Sequence, residues 1–595
     1  MCASALALTV MVNSVAGQVT QCVSLDSSGA QANFDNYRPS ISANGRYVAF
    51  ESIASNLVLG DTNQHSDVFV RDRLLGTTER VSVDSSGVQG NSDSETPSLS
   101  ADGRYVAFRS YANNLVASDN NGVRDIFVRD RLLGTTERIS VDSSGVEASG
   151  GSDSPSISAD SRYVAFASFA DNLIPGGDMN GATYSDVFVW DRLLGTTEHV
   201  SVGSAGVQGN GTSFSPSISA DGRYVAFMSG ANNLVPGDTS IHLKVFVRDR
   251  QLGTTELVVY CADENIVIDS QVWGSISADG RYVAFLSNAM DLVPGDTNGK
   301  RDIFVADRQL GTFERVSVDS SGAQANDYSM NAPSVSADGR FVAFLSQATN
   351  LVPGDHNGFI DVFVRDRQLG TTERISVGSA GVPANSGAFV GTVSISADGR
   401  YVTFDSGATN LVPGDTNRAP DIFVRDRAAS GFASTCDAGL GGVIACPCGN
   451  PPSAPGRGCD NSSATGGAML SAAGAAYTSM DTLVFTSSGE KPTALSVFTQ
   501  GSALLNSGVV FGMGVRCASM NLKRLYTKNA VGGVCSAPIG TDPSVSARSA
   551  ALGDVIAPGT SRYYYVYYRD PIVLGGCPSG STFNTTQTGQ IAWSF

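Results

Sequence analysis

Apolar and polar positions alternate over short runs along the chain, and the runs recur as a unit. The clearest copy spans residues 97–145, PSLSADGRYVAFRSYANNLVASDNNGVRDIFVRDRLLGTTERISVDSSG. Ser98-Leu99-Ser100 reads as a short strand. Ala101-Asp102-Gly103-Arg104 reads as a tight turn, with Gly103 supplying a positive φ. Tyr105-Val106-Ala107-Phe108 is apolar at every position, which predicts a strand buried on both faces. After a long loop comes a second buried strand, Asp125-Ile126-Phe127-Val128-Arg129-Asp130-Arg131, polar at its end. Residues 132–135 form a short turn, and Glu137-Arg138-Ile139-Ser140-Val141 alternates like a half-exposed outer strand. Long helical periodicity is absent.

Four antiparallel strands per unit, repeated at a period of about sixty, predict propeller blades. The arginine after the first turn marks the register as Arg46, Arg104, Arg162, Arg223, Arg281, Arg340 and Arg400, which makes seven blades. The seventh copy stops at Arg425-Asp426-Arg427, before its outer strand. The stretch 19–29 matches 78–87, so the N-terminal strand is expected to complete blade seven and leave no open edge. That closure would bring Cys22 and Cys436 near one seam, where a clasp between them is a candidate. The expected fold is all-β: a seven-bladed propeller over 18–427, a linker over 428–445, and a disulfide-containing, β-sandwich-like domain over 446–595.

In that last domain, turn signals separate expected strands at 482–486, 495–499, 523–527, 563–568 and 591–595. The tyrosine run Tyr563, Tyr564, Tyr565, Tyr567 and Tyr568 would place some rings in the core and others outside, for packing or for stacking on sugars.

The blade motif, carried by SADGRYVAF and DIFVRDR, resembles the TolB-like, WD40-like propeller repeat of bacterial envelope proteins. The resemblance covers about two-thirds of the chain. It implies fold strongly and function weakly, because such propellers serve as binding platforms, assembly hubs and accessory domains of enzymes. Seven copies depart from the six blades common among TolB-like domains. The C-terminal segment, with CPCGN, GRGCDNS and RYYYVYYRDP, resembles a cysteine-containing module found on assorted secreted bacterial proteins.

Charge narrows the partners. The formal net charge is -17, which argues against nucleic acid, since phosphate binding needs a basic surface. About seven acids and nine bases follow Cys436, so the repeats carry nearly all of the negative charge. Residues 1–17 end in Ser14-Val15-Ala16 and resemble a signal peptide without its basic n-region. No stretch approaches the ~18 apolar residues of a membrane span. Cys436, Cys446, Cys448, Cys459, Cys517, Cys535 and Cys577 cluster late in the chain and read as a disulfide framework in an exported module. Zinc on Cys446, Cys448 and Cys459 is the rival, without a CxxC pair or a later histidine. The expected location is secreted, extracellular, periplasmic or at the cell envelope.

The short ADGR and LLGTT turns share one face of the propeller and vary little. The long loops share the other face, vary more, and make it the candidate surface for a protein or polysaccharide ligand. The long loops of six blades carry a repeated D-x-N-x-x-x-D: Asp61/Asn63/Asp67, Asp119/Asn121/Asp125, Asp296/Asn298/Asp302, Asp355/Asn357/Asp361 and Asp415/Asn417/Asp421, with Asp178/Asn180/Asp186 around an insertion in blade three. Clustered oxygens on a tight loop suit calcium, and these residues are candidate metal ligands. The alternative is turn chemistry, in which Asp and Asn bond their own backbone. Blade four has Lys244 where the last carboxylate belongs, which would repel a cation. The VRDR ending, interrupted by Trp190 and Ala306, is expected to form inter-blade ion pairs with the turn arginines.

Signs of catalysis are few. His65, His199, His242 and His356 sit in variable loops or replace a repeat arginine, and no G-x-S-x-G elbow is present. The expected role is a non-catalytic binding or scaffold protein. The alternatives are a calcium-dependent structural or adhesive protein, and a polysaccharide lyase or glycosidase working in the channel, which a repeat-breaking acidic cluster would favour.

Overall fold

The computed structural model describes residues 19–593 except 178–182, 241, 261–273, 380, 389–391, 428–432, 437, 440–442, 454–456, 474–482, 540–541, 558–559 and 573–581. The expected signal segment lies outside the described residues. Two compact units are present, Thr20–Arg427 and Ala428–Phe595.

In the first unit each repeat forms a four-stranded antiparallel sheet. The second repeat supplies Ser94–Leu99, Tyr105–Ser110, Asp125–Asp130 and Thr135–Arg138, paired in that order. Five more sheets follow the same plan. The last sheet is built from both ends of the unit: Ser394–Ile395, Tyr401–Ser406 and Asp421–Asp426 are completed by Val19–Cys22. The Val23 N–H donates to the Ile422 carbonyl at 2.8 Å, continuing that pairing. The fold is therefore a seven-bladed propeller closed by its N-terminal strand.

The doubly apolar middle strands follow from this geometry, because each blade is sandwiched between two others. Ala49, Val68 and Val70 of blade one pack against Val106, Phe108 and Phe127 of blade two in one buried cluster. Within a blade, one phenylalanine from each middle strand stacks on the other, as in Phe108 and Phe127 at 5.9 Å.

Around the axis one serine of each first strand, preceded by proline in five of the seven blades, joins a closed ring of hydrogen bonds. Ser40 Oγ accepts from Leu99 N, Ser98 from Ile157, Ser156 from Ile218, Ser217 from Ile276, Ser275 from Val335, Ser334 from Ile395, and Ser394 from Ile41. Farther out, the arginine that ends VRDR clasps the preceding blade. Arg131 lies over the Tyr47 ring at 4.5 Å and donates to Glu79 at 2.6 Å and to the Gly103 carbonyl. Gly103 has φ +74°, and a Cβ there would sit 2.2 Å from Tyr47. Blade three holds Ser161 at this place, at φ +64°.

The turn arginines do not cross between blades as expected. Arg104 pairs with Asp130 of its own blade at 2.6 Å. Burial alone would raise the Asp130 carboxyl, but Arg104 and two backbone N–H groups hold it at about 2. The inter-blade pair uses the outer-strand glutamate instead, which a four-residue strand places beside the neighbour's turn.

Among its described residues, the second unit contains a six-stranded sheet, a three-stranded sheet and a two-stranded hairpin, with one short helix, Val545–Ala551. Val484–Ser488 of the three-stranded sheet and Ser561–Arg569 of the larger one face each other across a core holding Phe485, Tyr564, Val566, Tyr568 and Trp593. Four of the five tyrosines of the run pack. Tyr564 and Tyr568 enter that core, while Tyr565 and Tyr567 meet Phe511 of the hairpin edge to face. The hairpin strands, Ala503–Phe511 and Gly514–Ser519, were not among the expected ones; a register shift between Leu504 and Val509 breaks their alternation.

Cys446 and Cys459 form a disulfide with Cα atoms 5.6 Å apart, which takes them from the zinc alternative. Cys448 and Cys517 are disulfide-bonded as well. Cys535 is a free thiol, and so is Cys22, which corrects the expected Cys22–Cys436 clasp.

Candidate functional site

The D-x-N-x-x-x-D residues come together at the start of each third strand, beside the outer strand. The asparagine makes the turn: Asn63 Oδ1 accepts from His65 N at 3.1 Å, and Asn121, Asn298, Asn357 and Asn417 do the same for the residue two ahead. Its Nδ2 donates to the last aspartate, as from Asn63 to Asp67 at 2.9 Å. That aspartate is fully buried and accepts from a serine of the outer strand, Ser82 in blade one, at 2.5 Å.

The cation facing these carboxylates belongs to the protein. Arg80, from the outer-strand TTER, lies 3.1 Å from Asp61 and 3.0 Å from Asp67. Arg138 serves Asp119 and Asp125, Arg315 serves Asp296 and Asp302, and Arg374 serves Asp355 and Asp361. In blade three His199 replaces the arginine, 3.3 Å from Asp186, while Asp178 and Asn180 lie outside the described residues. In blade four Leu257 replaces it, and Lys244 supplies the charge from the third strand, 2.9 Å from Asp238. Sequence reading took Lys244 only as a charge that would repel a metal cation from the loop. The structure makes it a cation resident there, and the loss of arginine in the same blade was the missed signal.

Blade seven has Cys22 at the arginine position. Asp421 accepts from Ser24 at 2.5 Å and from Asn417 at 2.9 Å, and no ion pair reaches it or Asp415 among the described residues. Burial pushes Asp421 up to about 6 against those hydrogen bonds, and nearby Asp415 adds to the shift. Burial, with Asp421 beside it, pushes the Cys22 thiol up to about 12.

A second set of residues breaks the repeat, at the channel mouth on the long-loop face. The second strand ends in YVAF-x-S, and the variable position points at the next blade's first strand. Blades three to six hold Ala167, Met228, Leu286 and Leu345 there, and blades seven, one and two hold Asp405, Glu51 and Arg109. Glu51 Oε1 accepts from Arg38 at 2.8 Å and Oε2 from Thr96 N at 3.0 Å. Burial raises its carboxyl, and Arg38 opposes the rise. Arg109 reaches Glu95 at 2.5 Å and Asp153 at 2.6 Å, and Arg124 joins Asp153 at 3.1 Å. Arg124 Nη1 also donates to the Tyr111 hydroxyl at 3.1 Å. Tyr37 donates to Asp35 at 2.9 Å; burial, this bond and nearby Asp405 and Glu51 push the phenol up to about 12. The arc holds five carboxylates, Asp35, Glu51, Glu95, Asp153 and Asp405, against three guanidinium groups, Arg38, Arg109 and Arg124.

The backbone beneath this arc is strained. Arg38, Thr96, Ser154 and Ser215 have φ between 49° and 54°, each directly before a proline at a bulge. Residues before proline normally take extended conformations, and left-handed φ outside glycine persists where surrounding structure enforces it. The bulges turn these residues toward the axis. There Arg38, Thr96, Pro97, Ser154, Pro155, Ser215, Pro216, Gly274 and Thr392 line a cavity of about 130 Å³.

No family model and no curated protein matches this chain. Solved structures do. An oligogalacturonate lyase in complex with manganese is 13% identical, with a TM-score of 0.41, over 69% of this chain and 96% of that one. A TolB-type protein from Agrobacterium tumefaciens is 15% identical, with a TM-score of 0.31, over 59% and 94%. The propeller domain of the Trilobed protease from Pyrococcus furiosus is 14% identical, with a TM-score of 0.29, over 57% and 97%. The Pyrococcus propeller has an open velcro topology, whereas blade seven here is closed by Val19–Cys22. These likenesses concern the propeller fold, which the seven sheets establish directly.

Proposed function

We propose that this is a non-catalytic binding protein acting outside the cytoplasm, with its ligand seated on the long-loop face over blades seven, one, two and three. The observation that carries the reading is the concentration of repeat-breaking charge at one arc of the mouth, on a scaffold whose middle strands otherwise recur in all seven blades. A repeat under structural constraint alone has no reason to place Asp405, Glu51 and Arg109 on three consecutive blades and apolar residues on the next four. The Cys446–Cys459 disulfide supports an oxidising compartment.

The test is carboxyl footprinting with a carbodiimide, after a screen of extracellular proteins and glycans. A bound ligand is expected to protect Asp35 and Glu95 while leaving Asp102 and Asp338 of the short-turn face reactive. Protection of the short-turn face instead would sink this reading.

A second reading, a lyase or glycosidase in the channel, draws on the buried Glu51 carboxyl and the neighbouring Tyr37. Glu51 is tied to Arg38 and the Thr96 amide, which gives it a structural role first. Turnover of any bound polysaccharide, abolished by Glu51→Gln with the fold intact, would replace the binding reading.

A further inference from the structure

The residue after YVAF-x-S supplies an independent line. In chain order this column reads Ile53, Tyr111, Phe169, Gly230, Asn288, Gln347 and Gly407. Large apolar side chains occur in blades one to three, and small or amide side chains occur in the other four. They are not core residues: Ile53 is 48% exposed, Tyr111 46% and Phe169 36%. Neighbouring blades thus present two aromatic rings to solvent at one register, beside the charged arc. Gly150 and Gly151 keep the ground next to them low. A Cβ on Gly150 would fall 2.6 Å from the Phe169 backbone, and one on Gly151 would lie in contact with the Arg124 side chain at 3.4 Å.

Resting on the proposed binding face, we infer that its ligand is a neutral glycan, with successive sugar units stacked on Tyr111 and Phe169. Exposed rings offer flat π-faces to the C–H faces of pyranoses. The side chains beside them, Arg109, Asp153 and Arg124, are held in fixed orientation by one another and offer hydrogen-bond donors and acceptors to hydroxyl groups. Two features favour a glycan over a protein partner. The rings stand singly on polar loops, whereas a protein interface centres on a contiguous, desolvated apolar core. The carboxylates of the arc outnumber its guanidinium groups, which disfavours polyanionic sugars and leaves neutral ones.

The test is calorimetric titration of the intact protein with neutral cello-, xylo- and manno-oligosaccharides and with a polyuronate. Binding of at least one neutral series is expected. Tyr111→Ala and Phe169→Ala should each weaken it by about tenfold, and Gln347→Ala, in the same column on blade six, should leave it unchanged. All three sites are solvent-facing, so a matched melting temperature separates lost binding from lost fold. Preference for the polyuronate, or neutral-glycan affinity indifferent to Tyr111→Ala, overturns the inference. Absence of binding to every sugar overturns it too. If a protein then protects Asp35 and Glu95, the binding face survives without the glycan; protection elsewhere removes both.

Discussion

Blades one and seven carry the same pocket at the start of the third strand and fill it differently. In blade one Asp61 and Asp67 share Arg80. In blade seven Asp415 and Asp421 face Cys22. Burial raises the carboxyls of both blades, but in blade one Arg80 opposes the rise, while in blade seven only hydrogen bonds oppose it and Asp421 is pushed up to about 6. Blade four shows a third solution, in which the cation has migrated from the outer strand to the third strand as Lys244. The lesson concerns the pocket rather than any one residue. Two buried carboxylates need a counter-charge, and the chain supplies it from whichever strand carries one. Where neither strand does, proton binding remains the way to remove the charge.

Blade four gives the largest expected effect. Lys244 and Asp238 side chains are both fully buried, so Lys244→Met leaves a carboxylate unpaired and should cost about 3–5 kcal/mol in urea unfolding. Rebuilding the blade-one solution, with Lys244→Asp and Leu257→Arg together, should recover most of that loss. Failure of the double variant to recover would show that the pocket is not interchangeable among blades.

The seam comes next. The Asp421 carboxyl sits at about 6 when folded and near 3.8 in its unperturbed state. The folded protein therefore binds the extra proton between those values, and this contribution to stability is full below the lower one and lost as pH rises through about 6. Unfolding midpoints should fall between pH 5 and pH 7.5 from this site. Cys22→Arg should flatten that fall and stabilise the protein at pH 7.5 by about 1–2 kcal/mol. An unchanged pH profile would mean that the pocket discharges its carboxylates in some other way.

The smallest effect belongs to the inter-blade clasp. The closing seam already uses a neutral partner, with Arg73 donating to Gln21 at 2.9 Å and lying over Tyr401. Glu79→Gln copies that arrangement at the next seam, where the glutamate is half exposed. The change should stay within about 0.5 kcal/mol by thermal unfolding; a larger loss would assign the charge a role that the stacked ring does not share.

Much of the propeller was legible because its signal is repeated. The GRYVAF and DIFVRD strands are apolar on both faces, as blades packed on both sides require, and the match between residue 19 onward and the outer-strand motif revealed the closure. The carboxylate pocket was half legible: the D-x-N-x-x-x-D spacing stood out, but its arginine lies on another strand, where it looked like an ordinary polar position of TTER. The charged arc escaped for a related reason. Glu51, Arg109 and Asp405 each read as the polar end of an apolar strand, and only the three-dimensional adjacency of blades seven, one and two makes them a cluster. Reading YVAF-x-S down its column rather than along the chain would have exposed it.

The closing strand also sets an order of events. Ser24 meets Asp421 across 397 positions of sequence, and Thr20 meets the Val377 carbonyl across 357. A chain emerging from its N-terminus can pair the strands of blade one, then blade two, and so on, from local contacts alone. Val19–Cys22 must wait, unpaired with their sheet, until blade seven has emerged. Contacts of such long separation form late because loop closure must come first. The strand of the propeller that comes first in the sequence is thus the last to find its place, and its docking converts a stack of blades into a ring.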